Sequence, residues 1–356
     1  MYDALLIVSF GGPNGPDDVL PFLENVMRGR RPAVAGAPPP ERMLEVAEHY
    51  AHFGGRSPIN EQNRRLITFI ERDLAENGLP LRVYWGNRNW HPLLPDTLRK
   101  MAEDGVRHAL AFVTSPYSSY SSCRQYREDI FRAQQEVGAS APRVDKLRAF
   151  FNHPGFIEPM IESTEAGLRQ IPPQRRDEAL LVFSAHSIPL AMAQASRYEE
   201  QLRESCRLVA EGVEKSLTDM VGATEQWHLV YQSRSGSPQQ PWLEPDISDF
   251  IEQRHTQSAL KDVVVVPIGF ISDHMEVLYD LDTELAQRCE RLGISMVRAA
   301  TVGTHPRFVR MIRELITERM TDAARRLSLG RLGPSHDVCP DDCCRYNFAI
   351  AAKALD

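Results

Sequence analysis

The sequence predicts an α/β protein built on doubly wound parallel sheets, and three observations carry the prediction. Short apolar runs rich in β-branched residues recur along the chain, amphipathic stretches separate them, and several of the runs end in hydroxyl, amide or imidazole side chains. The first pattern suits strands buried on both faces. The second suits helices that cross between parallel neighbours, and the third the carboxyl ends of strands that border a ligand crevice.

The strand candidates, in order, are "ALLIVSF" (4–10), "LRVYWGN" (81–87), "ALAFVTSP" (109–116), "ALLVFSAH" (179–186), "WHLVYQS" (227–233), "DVVVVPIGF" (262–270) and "ISMVRAATV" (294–302). Between them, 60–77, 156–170 and 196–216 carry apolar residues at helical spacing. Ser115-Pro116-Tyr117, Ser184-Ala185-His186-Ser187, Gln232-Ser233-Arg234 and Ser272-Asp273-His274 close strand runs, which places the expected site in a cleft between two sheets. "FFNHPGF" and "IPPQRR" bracket one helix with breakers, so the expected division is 1–151 and 152–322, two halves of loosely similar plan. A tail of different character, 323–356, follows. The Pro-rich run 32–40 reads as an exposed loop.

Composition excludes some classes of function. With 41 Lys and Arg against 48 Asp and Glu, the net charge is -7 and the cations are scattered, so no basic face announces nucleic acid or an anionic membrane. No apolar run reaches the roughly 20 residues of a membrane helix, and "MYDALLIVSFGGP" has no basic n-region. A cytoplasmic monomer is expected. In that reducing compartment thiols persist, so three cysteines within "DVCPDDCCRYN" suggest a metal site rather than disulfides.

The densest chemistry lies in "ISDHMEVLYDLDTEL". On a helix starting near Asp273, Glu276, Asp280 and Glu284 fall at i, i+4 and i+8 and form one row of carboxylates. Such a row is either a solvated face or a track for a divalent cation, since hard oxygen ligands suit hydrated metal ions. His186 ends a strand in "FSAHSIP", as a structural histidine or as a base or metal ligand facing Glu276. "FVTSPYSSYSSCRQYRE" sets hydroxyls and tyrosines beside Arg124 and Arg127, which suits a planar aromatic ligand bearing carboxylates. Arg28, Arg30 and Arg31 add cations near the first crevice, whereas "SFGGPNGP" lacks the spacing of a dinucleotide fingerprint.

Together these motifs resemble one family, the ferrochelatases, which insert ferrous iron into a porphyrin. "LIVSFGGP" (6–13), "HYAHFGGRSPIN" (49–60), "GNRNWHP" (86–92), "SPYSSYSSCRQYRE" (115–128), "FSAHSIP" (183–189), "QSRSGSPQQPWLEP" (232–245) and "GFISDHMEVLYDLD" (269–282) stand in the family's order. The resemblance implies the chelatase fold, two Rossmann-like doubly wound parallel-sheet domains with the porphyrin held between them. It makes His186 the cleft histidine, Glu276 its partner, and Asp280 and Glu284 the outward acidic row for Fe2+; His186 is a base or a metal ligand. Ser57, Tyr126 and Tyr50 become contacts to the macrocycle or its propionates. Three features depart from the family pattern: the stretched "QSRSGSPQQPWL", Phe10 where some relatives carry a ligating tyrosine, and Asn89 after Arg88.

Residues 27–43 are less apolar than a membrane-facing lip and include several cations, which favours the tetracarboxylate coproporphyrin III over protoporphyrin IX. A haem or porphyrin carrier without turnover is a rival that retention of both His186 and Glu276 disfavours, as "SDHMEVLYDLD" disfavours a cobalt chelatase for sirohydrochlorin. Cys206 and Cys289, inside helical patterns, read as buried thiols. Cys339, Cys343 and Cys344, with Cys123 as fourth ligand, suit either zinc or a [2Fe–2S] cluster. Resemblance to bacterial members with one cysteine in the first half and three in the tail favours [2Fe–2S], in a structural role.

Overall fold

A computed structural model describes residues 2–29, 40–217, 227–236, 239–321 and 325–346. Arg30, Arg31 and the Pro-rich run up to residue 39 lie outside them, as do the Arg28 side chain and Ser237 and Pro238 of the stretched loop.

Eight strands form two sheets, all neighbours parallel. In the first half β1 (Ala4–Ser9), β2 (Arg82–Asn87), β3 (His108–Val113) and β4 (Arg143–Lys146) take the order β2-β1-β3-β4. In the second half β5 (Leu180–His186), β6 (Trp227–Gln232), β7 (Asp262–Val266) and β8 (Ser295–Arg298) repeat it as β6-β5-β7-β8. All six side chains of β1 and all five of β7 are buried, the pattern expected of strands covered on both faces. Seven strands coincide with the apolar runs; β4, "RVDK", holds only one apolar residue and carries no such signal.

In each half the chain reverses direction across the sheet beside its first strand, so a crevice opens at the carboxyl ends of β1 and β3, and of β5 and β7. The two halves share one apolar core. Phe112 stacks on Phe150 at 5.2 Å between ring centroids, and Phe150 meets Phe156 at 5.8 Å and Phe308 at 5.9 Å, joining β3 to the helices Pro154–Leu168 and Pro306–Met320. That last helix packs back onto Ile59–Glu76 of the first half, where Arg313 pairs with Asp73 at 2.7 Å. Arg148 and Glu318, 1% and 4% exposed, form a buried ion pair at 2.7 Å. The Tyr117 hydroxyl donates to the Ile268 carbonyl across the seam at 3.0 Å. Fusion through a common core and buried polar ties fixes the spacing of the two crevices, and with it the shape of whatever lies between them.

Candidate active site

The β5 strand ends at His186, where its neighbour is Gln232 of β6. The ring is oriented from two sides. Its Nδ1 lies 2.5 Å from the Ser187 carbonyl, which can only accept, so Nδ1 carries the hydrogen and Nε2 faces the other way. The Tyr198 hydroxyl donates to the His186 carbonyl at 3.0 Å and holds the strand end. Nε2 meets Glu276 Oε1 at 3.3 Å. At that distance the two groups form a histidine–carboxylate dyad in which either partner can hold a proton. At 26% and 39% side-chain exposure, both groups remain open to a ligand.

Glu276 owes its place to its own capping. His274 ends the loop after β7 and its Nδ1 accepts the Glu276 amide at 3.2 Å, capping the turn Met275–Leu278; burial depresses the basicity of His274 and keeps it neutral for that task. Gln232 donates to the Glu276 carbonyl at 2.6 Å. Gln62, from the first half, donates to the Asp273 carbonyl at 2.7 Å, so the loop is held from both sides of the cleft.

The single α-helix expected from Asp273 onward is corrected by the structure. A short α-turn starts at Met275, gives way to a π-helical segment Asp280–Leu285, and becomes α again over Ala286–Leu292. The Glu284 amide reaches the Tyr279 carbonyl at 2.9 Å, five residues back. On an α-helix, successive i+4 positions drift around the axis by about 40° per step; a wider turn takes back part of that drift, and π segments of this kind recur at functional sites. Asp280 accepts the hydroxyl of Ser233, a residue held in the left-handed region at φ 61. Burial raises the Asp280 carboxyl to about 7, helped by the charges of Glu276 and Glu284 and opposed by Ser233 and His186. Asp280 is thus coupled to its acidic neighbours and to His186, whereas Glu284 at the outer end of the row is exposed to solvent.

The first half supplies the opposite wall. Ser57 follows the sharp Gly54-Gly55 turn, its amide donating to the Pro13 carbonyl at 3.0 Å. Gly12 is required there, since a Cβ would stand 2.6 Å from the Ser57 Cβ. Tyr50 packs with Phe22, Trp90 and Met275, the last from the second half, and burial with the nearby Glu276 charge pushes its hydroxyl well above the ordinary range. Tyr126 lies under Arg88, whose guanidinium is 4.5 Å from the ring centroid and pairs with Asp129 at 2.5 Å. Burial raises Tyr126, Arg88 opposes the rise, and Glu276 is again felt. Tyr50 and Tyr126 are both buried, in separate apolar clusters, each close enough to feel the Glu276 charge. Phe10 packs edge-on against Phe22 at 6.2 Å and offers no ligand atom; the Asn89 side chain bonds the Phe10 carbonyl at 3.2 Å.

Two expectations fail. Arg124 and Arg127 are engaged by the tail instead of standing ready for a ligand's carboxylates. Arg124 bonds Glu128 at 2.8 Å and the carbonyls of Asp341 and Cys343 at 2.8 and 2.9 Å, and Arg127 reaches the Cys339 carbonyl at 3.4 Å. They fasten the tail. A cation that does stand over Tyr126 is Arg88, an isolated arginine inside "GNRNWHP" with no charged neighbour in sequence to mark it.

The tail itself lies against the first half and the helix Tyr198–Ser216, held by buried Asn152 on Leu329 and Gly333 (3.0 and 2.8 Å) and by Glu204 on the Arg331 amide (2.6 Å). This returns Cys339, Cys343 and Cys344 to Cys123, which sits in a π-helical turn, Tyr120–Arg124. A hydrogen bond from the Cys339 thiol, aided by Lys146 and Arg127, holds Cys123 well below the ordinary thiol range, and the same bond pushes Cys339 up. Cys344 adopts φ 54, and the sulfurs of adjacent Cys343 and Cys344 lie 3.6 Å apart. His336 joins them, with Nε2 3.6 Å from Cys343 Sγ, and the donor atoms of His336, Cys339 and Cys343 all lie within 4.8 Å of one another. This is a candidate metal centre. Its histidine was missed by counting thiols alone; the signal was His336 three residues before Cys339. Cys206 and Cys289 are buried, 0% and 1% exposed, as inert core thiols.

Two like-ordered parallel sheets, with a histidine–carboxylate dyad and an acidic row at the crevice between them, define a metal-handling enzyme of the chelatase type. The chain belongs to the ferrochelatase family, whose model, Ferrochelatase, matches residues 2–320. It is 55% identical over 345 residues to a ferrochelatase of Rhodopirellula baltica, covering 97% of this chain and 94% of the relative. It is 50% identical over 360 residues to a coproporphyrin III ferrochelatase of Streptomyces coelicolor, covering 96% and 93%. In fold it is similar to the solved structure of SirB from Bacillus subtilis with Fe3+, with a TM-score of 0.51 at 11% identity over 90% of this chain and 98% of that one. No helix among the described residues is long and apolar enough to cross a membrane.

Proposed function

We propose that this chain inserts Fe2+ into coproporphyrin III, with His186 and Glu276 as the groups that remove the pyrrole protons. The observation that carries the proposal is the 3.3 Å contact between His186 Nε2 and Glu276 Oε1, two groups that stay partly exposed where β5 ends. Metallation requires two N–H protons to leave while a dehydrated cation arrives. With Nδ1 facing the Ser187 carbonyl, Nε2 takes one pyrrole proton and Glu276 the other, and both then leave to solvent.

A flat porphyrin shields its nitrogens in the ring plane. Binding energy from the propionates and from ring contacts at Ser57, Tyr50 and Tyr126 sustains a bent macrocycle whose N–H groups tilt toward the dyad. Fe2+ reaches the ring along Glu284, Asp280 and Glu276. Asp280, raised to about 7, holds a proton part of the time and releases it to an incoming cation, so the row is not fully charged when empty. Several relatives at 46–51% identity are coproporphyrin III ferrochelatases, and this supports the tetracarboxylate as substrate.

Cys123, Cys339, Cys343 and Cys344 suit a [2Fe–2S] cluster: Cys123 of the first half interacts with Cys339 of the tail, and the left-handed Cys344 leaves its sulfur 3.6 Å from that of Cys343, which supports the reading. Such a cluster would pin the tail to the first half; insertion of Fe2+ transfers no electron and asks nothing more of it.

The test is an anaerobic panel of Fe2+ with coproporphyrin III, protoporphyrin IX and sirohydrochlorin under multiple turnover. The proposal expects coproporphyrin III to be metallated fastest. Preference for another tetrapyrrole would sink the substrate assignment, and one metalloporphyrin per chain would make the protein a carrier.

A further inference from the structure

Beside its thiols the tail places a further donor, the imidazole of His336, and the donor atoms of His336, Cys339 and Cys343 all lie within 4.8 Å of one another, with Cys344 Sγ 3.6 Å from Cys343 Sγ. Two ligands on one tetrahedral Zn2+, at about 2.0–2.3 Å from the metal, stand about 3.5–3.8 Å from each other. The 3.6 Å separation of His336 Nε2 from Cys343 Sγ equals such an edge, and so does the 3.6 Å separation of Cys343 Sγ from Cys344 Sγ. His336 is exposed and Cys339 and Cys343 are half-buried, so an ion from solvent can reach them, whereas Cys123 is buried.

We propose that His336, Cys339 and Cys343 form a mononuclear site for a divalent soft or borderline cation, Zn2+ in type, that does not need Cys123. A four-thiolate cluster draws on Cys123 of the first half as well as on the tail; the mononuclear site draws on the tail alone, with Cys344 or water as fourth ligand. Occupancy by one ion folds the turn around Pro340 and holds the thiols together before Cys123 is engaged, or after a cluster is lost. Binding expels the thiol protons to solvent and moves no electron. The inference shares only its thiolates with the cluster reading and is independent of porphyrin chemistry.

The experiment uses the full chain, demetallated anaerobically and titrated with Co2+ as the probe, with Zn2+ as competitor. Thiolate-to-cobalt charge-transfer bands report the tail site alone, because the acidic row and His186 offer no sulfur. One Co2+ per chain should bind with these bands and tetrahedral d–d intensity in both wild type and Cys123→Ser, with affinities within about tenfold of each other. His336→Ala in the Cys123→Ser background should weaken binding by about tenfold or more and shift the d–d bands, comparable to losses when metal-site partners are removed. Absence of thiolate bands in Cys123→Ser, or an unchanged affinity and spectrum on losing His336, would overturn the inference. Reconstitution with iron and sulfide reads the cluster separately. It should assemble in His336→Ala and fail in Cys123→Ser, and a cluster that requires His336 would overturn the separation of the two sites.

Discussion

Replacing Asp280 with Asn should stabilise the protein in a pH-dependent way while impairing iron capture. In the folded chain the carboxyl titrates at about 7, against an ordinary value of 3.8, chiefly because burial penalises its charge, with Glu276 and Glu284 adding repulsion and His186 and Ser233 partly compensating. The sign follows from which state holds the proton. Below about pH 4 both folded and unfolded chains hold it; between 4 and 7 the folded chain binds it and the unfolded chain does not, so wild-type stability falls as pH rises, and above 7 the loss is complete. An elevation of that size is worth about 4 kcal/mol for a fully enclosed group, and about half that for a side chain still partly open to water. Asn keeps the acceptor for the Ser233 hydroxyl and carries no charge. Urea unfolding in the presence of chelator should therefore place Asp280→Asn about 0.5 kcal/mol above wild type near about pH 4.5 and about 2 kcal/mol above it near about pH 8. A difference that does not vary with pH, or a variant less stable than wild type at the higher pH, would refute the reasoning about the row. The same variant should need more Fe2+ for half-maximal rate, because a carboxylate that costs stability is retained for the cation it meets.

Other predictions probe the frame around the site. Arg148→Met leaves Glu318 as an uncompensated buried charge and should cost about 3–5 kcal/mol by urea unfolding; a cost under about 1 kcal/mol would mean the pair is not buried in solution. Gly12→Ala puts a methyl 2.6 Å from the Ser57 Cβ, so it should cost about 1–3 kcal/mol and raise the porphyrin KM through the displaced Ser57; an unchanged KM would detach Ser57 from substrate. Cys123→Ser should abolish visible cluster absorption and bound sulfide while leaving the fold of both sheets intact by circular dichroism; retention of iron and sulfide in equal amounts would show that the cluster is built without it.

Much of the frame was legible because burial on both faces forces apolar, β-branched runs, and seven such runs are strands. β4 was not, because an edge strand of four residues satisfies its geometry through pairing with β3 and needs no apolar pattern: "RVDK" pairs His108 with Arg143 and Ala111 with Lys146. His186 and Glu276 were legible as polar residues where an apolar run gives way, the place a crevice must be. The π segment at Asp280–Leu285 was not, since an i, i+4 spacing reads as α-helix and the extra residue per turn leaves no mark in composition. Arg124 and Arg127 were misassigned for a related reason. Charge and neighbourhood in sequence do not say which way a helix turns its face, and theirs is turned to the tail carbonyls. His336 was hidden by the stronger thiol pattern beside it.

The central claim is that the His186–Glu276 dyad takes the pyrrole protons. It is tested most directly by the multiple-turnover rate of Fe2+ insertion into coproporphyrin III, measured anaerobically for wild type, His186→Ala and Glu276→Gln with folding checked in parallel. Removing a positioned base should lower kcat by about 10²–10⁴-fold in His186→Ala, with a substantial loss in Glu276→Gln and little change in porphyrin binding. Folded variants that both turn over within about twofold of wild type would place the proton acceptor elsewhere and contradict the account.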